Sequence, residues 1–234
     1  MIRSMDTLQK SFNILQKKQE NTSSNVSNVN TFGFKSQKII QKTDKEKQMF
    51  NHLKGPQLND KNEIGTFIFG NRIDEINKNM TTGSMKQTNK QTDYAILGDG
   101  FFNIQLANGT IGYTKNGHFQ VNEQNQLVTQ EGYLVLSDNG QPVDARQQNP
   151  NFRLTKFNDL NNLTAIGESL FSGVNGEQDL NSRVENHMLE SSNVDMVDEM
   201  TDLLQTAREF EINQKALHTS DETLRKLTNE IGRV

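Results

Sequence analysis

The chain has 234 residues and a formal net charge of −4; 32% of it is hydrophobic, 23% is charged, and cysteine is absent. Without cysteine there are no disulfides, no thiolate catalysis and no cysteine-bound metal, and a mildly acidic balance whose basic clusters stay as short as Lys17-Lys18 gives no electrostatic footprint for nucleic acid. The low apolar share argues against one large core, and no stretch reaches the roughly 18 consecutive apolar residues of a membrane span.

At the start, Met1-Ile2-Arg3-Ser4-Met5-Asp6 contains no apolar signal core, so a cleaved signal peptide is not expected. From there Met5, Leu8, Phe12, Leu15, Gln19, Thr22, Val26 and Val29 keep a spacing of three and four, which predicts an amphipathic helix. It ends in the poor helix formers Asn25, Ser27, Asn28 and Asn30, with Gly33 as the stop signal, so alone it is marginal.

Residues 36–61 are polar, charged and aperiodic, with Gly55-Pro56 as a breaker, and read as a linker or extended arm. Ile64–Phe69 and Arg72–Asn77 are strand candidates. Beyond Met80 the pattern changes to short strands and glycine turns. The strand candidates are Tyr94–Leu97, Phe101–Leu106, Thr110–Thr114, Phe119–Asn122, Leu127–Thr129 and Tyr133–Leu136, with Phe152, Leu154 and Phe157 as a further one. Asn108-Gly109 is the sharpest hairpin signal, since both residues tolerate the positive φ of a type I′ turn; Asn116-Gly117 and Asn139-Gly140 repeat it. Phe102, Ile104 and Leu106 alternate with Asn103 and Gln105, which predicts a sheet with one wet face.

The last forty residues form the second long helix, from about Val194 to Ile231, some 55 Å at about 1.5 Å per residue. Leu203, Phe210, Leu217, Leu224 and Ile231 occupy every d position of a heptad, while the a positions run Met200, Ala207, Gln214, Asp221 and Thr228. Ser192 or Asn193 is placed to cap it, Asp195, Asp198 and Glu199 suit the positive end of its dipole, and Arg225, Lys226 and Arg233 lie toward the other end. Glu211 with Lys215 and Glu222 with Lys226 are i, i+4 pairs. The matching terminal seams allow an intramolecular helical hairpin, yet two helices with polar interruptions bury too little to stand alone, so more copies are needed to complete the core.

No catalytic constellation stands out. Gly98-Asp99-Gly100 lacks the lysine of a phosphate loop and reads as a turn. His52, His118, His187 and His218 have no ligand spacing, so neither metal nor other cofactor is expected. Ser191 and Ser192 stand at a helix start, where capping outweighs nucleophilic chemistry.

The run Asn25-Val26-Ser27-Asn28-Val29-Asn30-Thr31-Phe32-Gly33-Phe34-Lys35 resembles the signature of bacterial flagellar rod and hook proteins. The tail is similar too, through Ser192-Asn193-Val194-Asp195-Met196-Val197 and Phe210-Glu211-Ile212-Asn213-Gln214-Lys215-Ala216-Leu217. In the middle, Gly83-Ser84-Met85-Lys86-Gln87-Thr88-Asn89, Asp93-Tyr94-Ala95-Ile96-Leu97-Gly98-Asp99-Gly100-Phe101-Phe102 and Tyr113-Thr114-Lys115-Asn116-Gly117-His118-Phe119 resemble its core pattern. Ser27 departs from the more usual Ala, and Ala207 precedes Arg208 where Gln is common.

The expected fold class is α+β in several parts: coiled-coil-type helices at 1–32 and 191–234 forming one discontinuous helical domain, a linker arm at 33–80, and a central all-β domain at 81–190. The resemblance implies a non-enzymatic subunit of the flagellar basal-body rod that self-assembles through its terminal helices into a helical tube transmitting torque. Its implied partners are copies of itself, the other axial proteins of rod and hook, and the flagellar type III export apparatus, with no nucleic acid and no membrane insertion. Residues 31–190 leave no room for an additional outer domain, which favours rod over hook, and the glycine-rich middle and Phe-Glu-Ile-Asn tail favour a distal over a proximal rod subunit. A hook-type protein, a surface binding module on a coiled-coil stalk and, more remotely, a glycan-acting enzyme remain as alternatives.

Overall fold

The computed structural model describes residues 2–52, 61–68, 70–147, 149–160, 163–167 and 169–231. Gly55-Pro56, Phe69 and Arg233, singled out above, lie outside the described residues. The chain divides into two units. One holds residues 1–24, 37–77 and 197–234, the other 25–36 and 78–196.

In the first unit the chain opens with helix α1, Ile2–Ser27, and closes with helix α2, Met196–Ile231, running three residues and one residue past the unit's edge, respectively. Between them, strands β1 (Gln37–Thr43), β2 (Lys47–His52), β3 (Lys61–Phe67) and β4 (Asn71–Lys78) make two two-stranded sheets, β1 with β4 and β2 with β3. The segment read as an aperiodic linker therefore contains paired strands. Its lack of alternation follows from the pairing: Ile64, Phe67 and Ile76 are all more than half exposed, so the ribbon has no single buried face to impose a period of two. Asp44 N donates to Gly70 O (2.8 Å), bridging the step from one sheet to the next. Lys10 Nζ reaches Asp44 Oδ2 (2.6 Å) and Asn21 Nδ2 donates to Gln37 O (2.7 Å), fixing the ribbon on α1.

The second unit is β-rich. Its strands are β5 (Met85–Gln87), β6 (Tyr94–Leu97), β7 (Phe101–Gln105), β8 (Ile111–Thr114), β9 (Gln120–Val121), β10 (Leu127–Val128) and β11 (Leu134–Val135). They continue as β12 (Leu154–Lys156), β13 (Leu163–Ala165), β14 (Leu170–Gly173), β15 (Glu177–Gln178), β16 (Arg183–Asn186) and β17 (Met188–Glu190). The main sheet runs β13-β14-β8-β7-β11-β10-β9, with β12 also pairing β7 and β15; β6 pairs β16, and β5 pairs β17.

Four of its turns share one construction. In residues 106–110, 122–126, 129–133 and 137–141 the first N–H donates to the fifth carbonyl and the first carbonyl accepts from the fourth N–H, and the fourth residue, Gly109, Asn125, Gly132 or Gly140, has φ between 59° and 87°. This is a type I turn followed by one left-handed residue, so Asn108-Gly109 and Asn139-Gly140 form hairpins of that kind and not the expected type I′. Asn116-Gly117 is no hairpin: Gly117 packs on the Tyr94 carbonyl, 1.7 Å from where a Cβ would stand.

Residues 101–104 of β7 are buried on both sides, which corrects the expected wet face at Asn103, while Gln105 is exposed as expected. Phe102 and Ile104 join Tyr94, Ile96, Phe119 and Val135 in one core, and Phe102 meets Phe119 edge-on at 5.1 Å. Phe101 points the other way, into a second core with Phe157 and Phe171, and Asn103 is buried beside it in the strand.

Candidate assembly surfaces

Within the first unit α1 and α2 meet through an edge-to-face pair, Phe12 and Phe210, with ring centroids 5.0 Å apart. Asn213 Nδ2 donates to Ser11 Oγ (2.7 Å) beside it. Along α2 the half-buried row is Leu203, Phe210, Leu217 and Leu224, joined by Asn213, Ser220 and Leu227 and by Thr206, which is 1% exposed. Met200, Ala207, Gln214, Asp221 and Thr228 are all exposed. The packed seam thus pairs the leucine row with positions one residue before the expected a row.

Small polar residues can occupy that seam because they carry their own partners. Thr206 Oγ1 donates to Asp202 O four residues back (2.8 Å), and Thr201, Thr219, Thr223 and Thr228 do likewise with their own preceding turns. On α1, Leu15 and Ile14 are buried, and Met5, Leu8 and Phe12 are partly so. The side chain of Ile231 lies outside the described residues. Lys215 Nζ reaches Glu211 Oε1 at 2.7 Å and holds that carboxyl below its ordinary range, whereas Glu222 and Lys226 do not pair.

What the seam leaves out is apolar as well. Val197, Met200, Leu204 and Ile212 are 71%, 54%, 61% and 64% exposed. A helix that presents such side chains to water beside a satisfied inner seam carries a second apolar surface.

The second unit brings most of the Asn-rich motif to one place. The chain leaves α1 through 3₁₀-type turns, Asn28 N to Asn25 O and Thr31 N to Asn28 O (both 3.1 Å), while Thr31 Oγ1 donates to Asn28 Oδ1 (2.9 Å). Asn25 and Asn28 are buried with Phe34 and Lys35, and partly buried Val26 and Val29 accompany them. Gly33 adopts φ 68°, and a Cβ there would stand 2.5 Å from Asn116 N. Only glycine fits both the backbone and the space.

Lys35 then enters a closed polar site. Its Nζ lies 2.6 Å from Glu190 Oε1, both side chains being 1% exposed, and donates to Thr81 O at 2.7 Å. Gly83 N donates to the same Oε1 (2.9 Å), and Gly33 N donates to Glu190 O (2.8 Å). Glu190 Oε2 is buried with no hydrogen bond. Asn193 completes the clasp: Oδ1 accepts from Ser36 N (2.8 Å), and Nδ2 donates to Asn79 O (2.7 Å) and Thr81 O (3.0 Å). The expected helix-cap role of Asn193 is replaced by this one, since α2 begins three residues later, and Ser192 Oγ accepts from Val194 N (3.3 Å), ahead of the helix. The segment leaving α1, strand β17 and residues 81–83 are thus fastened around a single carboxylate.

Lys115, 4% exposed, donates to Gly98 O (2.7 Å) and lies 5.2 Å from the centroid of the Phe101 ring. Burial pushes its pKa down to about 8, with the Glu190 carboxylate pulling it up and Lys35 adding to the depression. Glu190 and Lys115 are the residues of this site that sequence reasoning missed as a pair with Lys35. Nothing near Glu190 in the sequence marks it, because Lys35 lies 155 positions away and the other groups at the site, Thr81 O bonded to Lys35 and Gly83 N bonded to Glu190, are backbone atoms. Among the described residues no three histidine or carboxylate side chains gather as a metal-binding group.

Comparison with known proteins finds two matching family models. Residues 95–163 match the flagellar hook protein FlgE/F/G D1 domain, and residues 185–230 match the C-terminal region of flagellar basal body rod FlgEFG proteins. The chain is 30% identical to the flagellar basal-body rod protein FlgG of Borreliella burgdorferi, over 96% of this chain and 97% of that protein. It is also 30% identical to FlgG of Bacillus subtilis, over 98% and 99% of the two, and 28% identical to the flagellar hook-basal body complex protein FlhO of Bacillus subtilis across the full length of both.

Proposed function

This chain belongs to the flagellar basal-body rod protein family, and on that premise we propose that its two helices are the surfaces through which copies of it polymerise into the rod. It is a structural subunit of the flagellar basal body, not an enzyme, and works in assembly with other axial flagellar proteins.

The observation that carries the proposal is the second apolar surface of α2, where Val197, Met200, Leu204 and Ile212 stay in water although the inner seam beside them is packed. Head-to-tail repetition of a contact that does not close on itself gives an open helical array, and burying these side chains between copies supplies its driving force. The terminal residues, 1–32 and 191–234, act together as the polymerising domain, and residues 81–190 form a separate β domain. The rod so built transmits torque to the hook. Copies of the chain reach the growing rod through the flagellar type III export apparatus. FlgG relatives at 30% identity support a distal-type subunit; the full-length likeness to FlhO supports the alternative of a different rod or hook-basal body position.

Leu204→Asp in the full chain tests this. Leu204 is 61% exposed, so the variant keeps the wild-type circular dichroism and unfolding temperature while losing sedimentable polymer and cell motility. Normal rods built from the variant would remove α2's outer surface from the assembly.

A further inference from the structure

Strand β16 has one free edge. Its only strand partner among the described residues is β6, with Val184 opposite Ile96 and Asn186 opposite Tyr94. His187 N donates to Asp93 O (2.9 Å), and Tyr94 N turns away to Gly117 O (3.0 Å). Those two bonds fix the alternation of the antiparallel ladder: Arg183 and Glu185 direct their main-chain groups toward β6, while Val184 and Asn186 direct theirs outward. Among the described residues no hydrogen bond reaches the outward N–H and C=O groups of Val184 and Asn186.

Alongside that edge runs a groove of about 590 Å³ that residues Asn149–Phe152 border, with Tyr94 also in its wall. Tyr94 and Phe152 are stacked edge-to-face at 4.7 Å, and Leu180, 83% exposed, stands among the lining side chains. Glu185 and Asp138, the latter also accepting from Gln178 Nε2, supply negative charge, the third carboxylate, Asp179, being turned onto Asn181 N and Ser182. The lining contains no lysine, arginine or histidine.

We propose that this edge receives an extended, positively charged peptide segment of a partner protein as an added antiparallel or parallel strand. Unpaired main-chain donors and acceptors in a row call for another main chain, which makes the ligand a polypeptide. Alternate side chains of that strand would fall on the apolar wall and beside the two carboxylates. Charge selects the occupant. A second copy pairing β16 with β16 about Glu185 would set that residue beside its own equivalent, and like charges across a strand pair oppose association; the register that sets Arg183 opposite Glu185 is the one the peptide-free amide shifts below test. The inference is independent of the role given to the helices.

The probe is a fluorescent eight-residue peptide of alternating lysine and valine, titrated into the full chain at low ionic strength. Binding is expected with shifts of the Val184 and Asn186 amide resonances, and it weakens as salt rises. Val184→Pro removes an N–H that β6 does not use, so it leaves the circular dichroism unchanged and weakens the peptide at least tenfold. Glu185→Gln weakens it and flattens the salt dependence. The same peptide N-methylated at alternate residues serves where the proline variant fails to fold, and it too binds at least tenfold more weakly. Equal binding of the methylated peptide, equal binding of a glutamate-valine peptide, or concentration-dependent shifts of the same two amides without any peptide would each overturn the proposal.

Discussion

Lys35 and Glu190 stand 155 positions apart in the chain and meet at 2.6 Å, each side chain 1% exposed. An ion pair so buried gains little over an apolar pair, but losing one member strands the other charge, at a cost of about 3–5 kcal/mol. Lys35→Met is therefore expected to lower the stability of the β-rich unit by that amount in urea unfolding followed by tryptophan-free near-UV signals of its tyrosines. Lys35→Met with Glu190→Leu recovers most of the loss. A double variant as unstable as the single one would mean that packing, not charge, dominates the site.

Gly33→Ala tests the backbone at the same clasp. The left-handed φ of 68° and the 2.5 Å approach to Asn116 N together predict a loss of roughly 2 kcal/mol or more. Denaturant midpoints read this directly.

Lys115 gives the fold a dependence on alkaline pH. Its folded pKa of about 8 lies below its ordinary value of 10.5, so between those values the unfolded chain binds more protons than the folded one. Stability therefore rises with pH across that window, by up to about 1.4 kcal/mol per pH unit, and falls again as pH drops through 8. Half-buried Lys78, with its pKa also lowered by burial, acts in the same direction nearer its ordinary value. Tyr94 and Tyr113, whose pKa values burial raises, act oppositely above about pH 10. Unfolding midpoints measured from pH 7.5 to 9.5 should climb in the native chain and lose most of that slope in Lys115→Met.

Phe210→Asp separates the inner seam from the outer surface of α2. Phe210 packs edge-on against Phe12, so a carboxylate there costs the helical unit about 2–4 kcal/mol, seen as reduced helicity and a lower unfolding temperature. Leu204→Asp, on an exposed position, is expected to stay within about 0.5 kcal/mol of the native chain.

Much of this was legible in the residues themselves. Both helices announce their spacing, and Phe102, Ile104, Leu127 and Val135 announce the central core. What stayed hidden depends on distant segments. Asn103 looked wet until Phe157 and Phe171, more than fifty residues on, covered the other side of β7. The ribbon carried no alternation because its strands bury no common face, and the α2 seam shifted by one residue because Thr206 and Asn213 satisfy their polar groups locally or on Ser11. The motif residues Thr31, Gly33 and Lys35 were visible as a pattern, yet the purpose of Gly33 and Lys35 depends on Glu190, far along the chain, and on backbone atoms of Thr81 and Gly83 that no side-chain pattern records.

Each threonine hydroxyl along α2 that bonds the carbonyl four residues behind it travels with its own acceptor. Such a helix surface is indifferent to its solvent: withdrawing it from water strips no hydroxyl of a needed partner, so the desolvation toll that normally penalises a polar face is small. Thr201, Thr219, Thr223 and Thr228, all exposed, can therefore face bulk water in a newly delivered subunit and a dry neighbour later, with no rotamer to change and no bond to exchange.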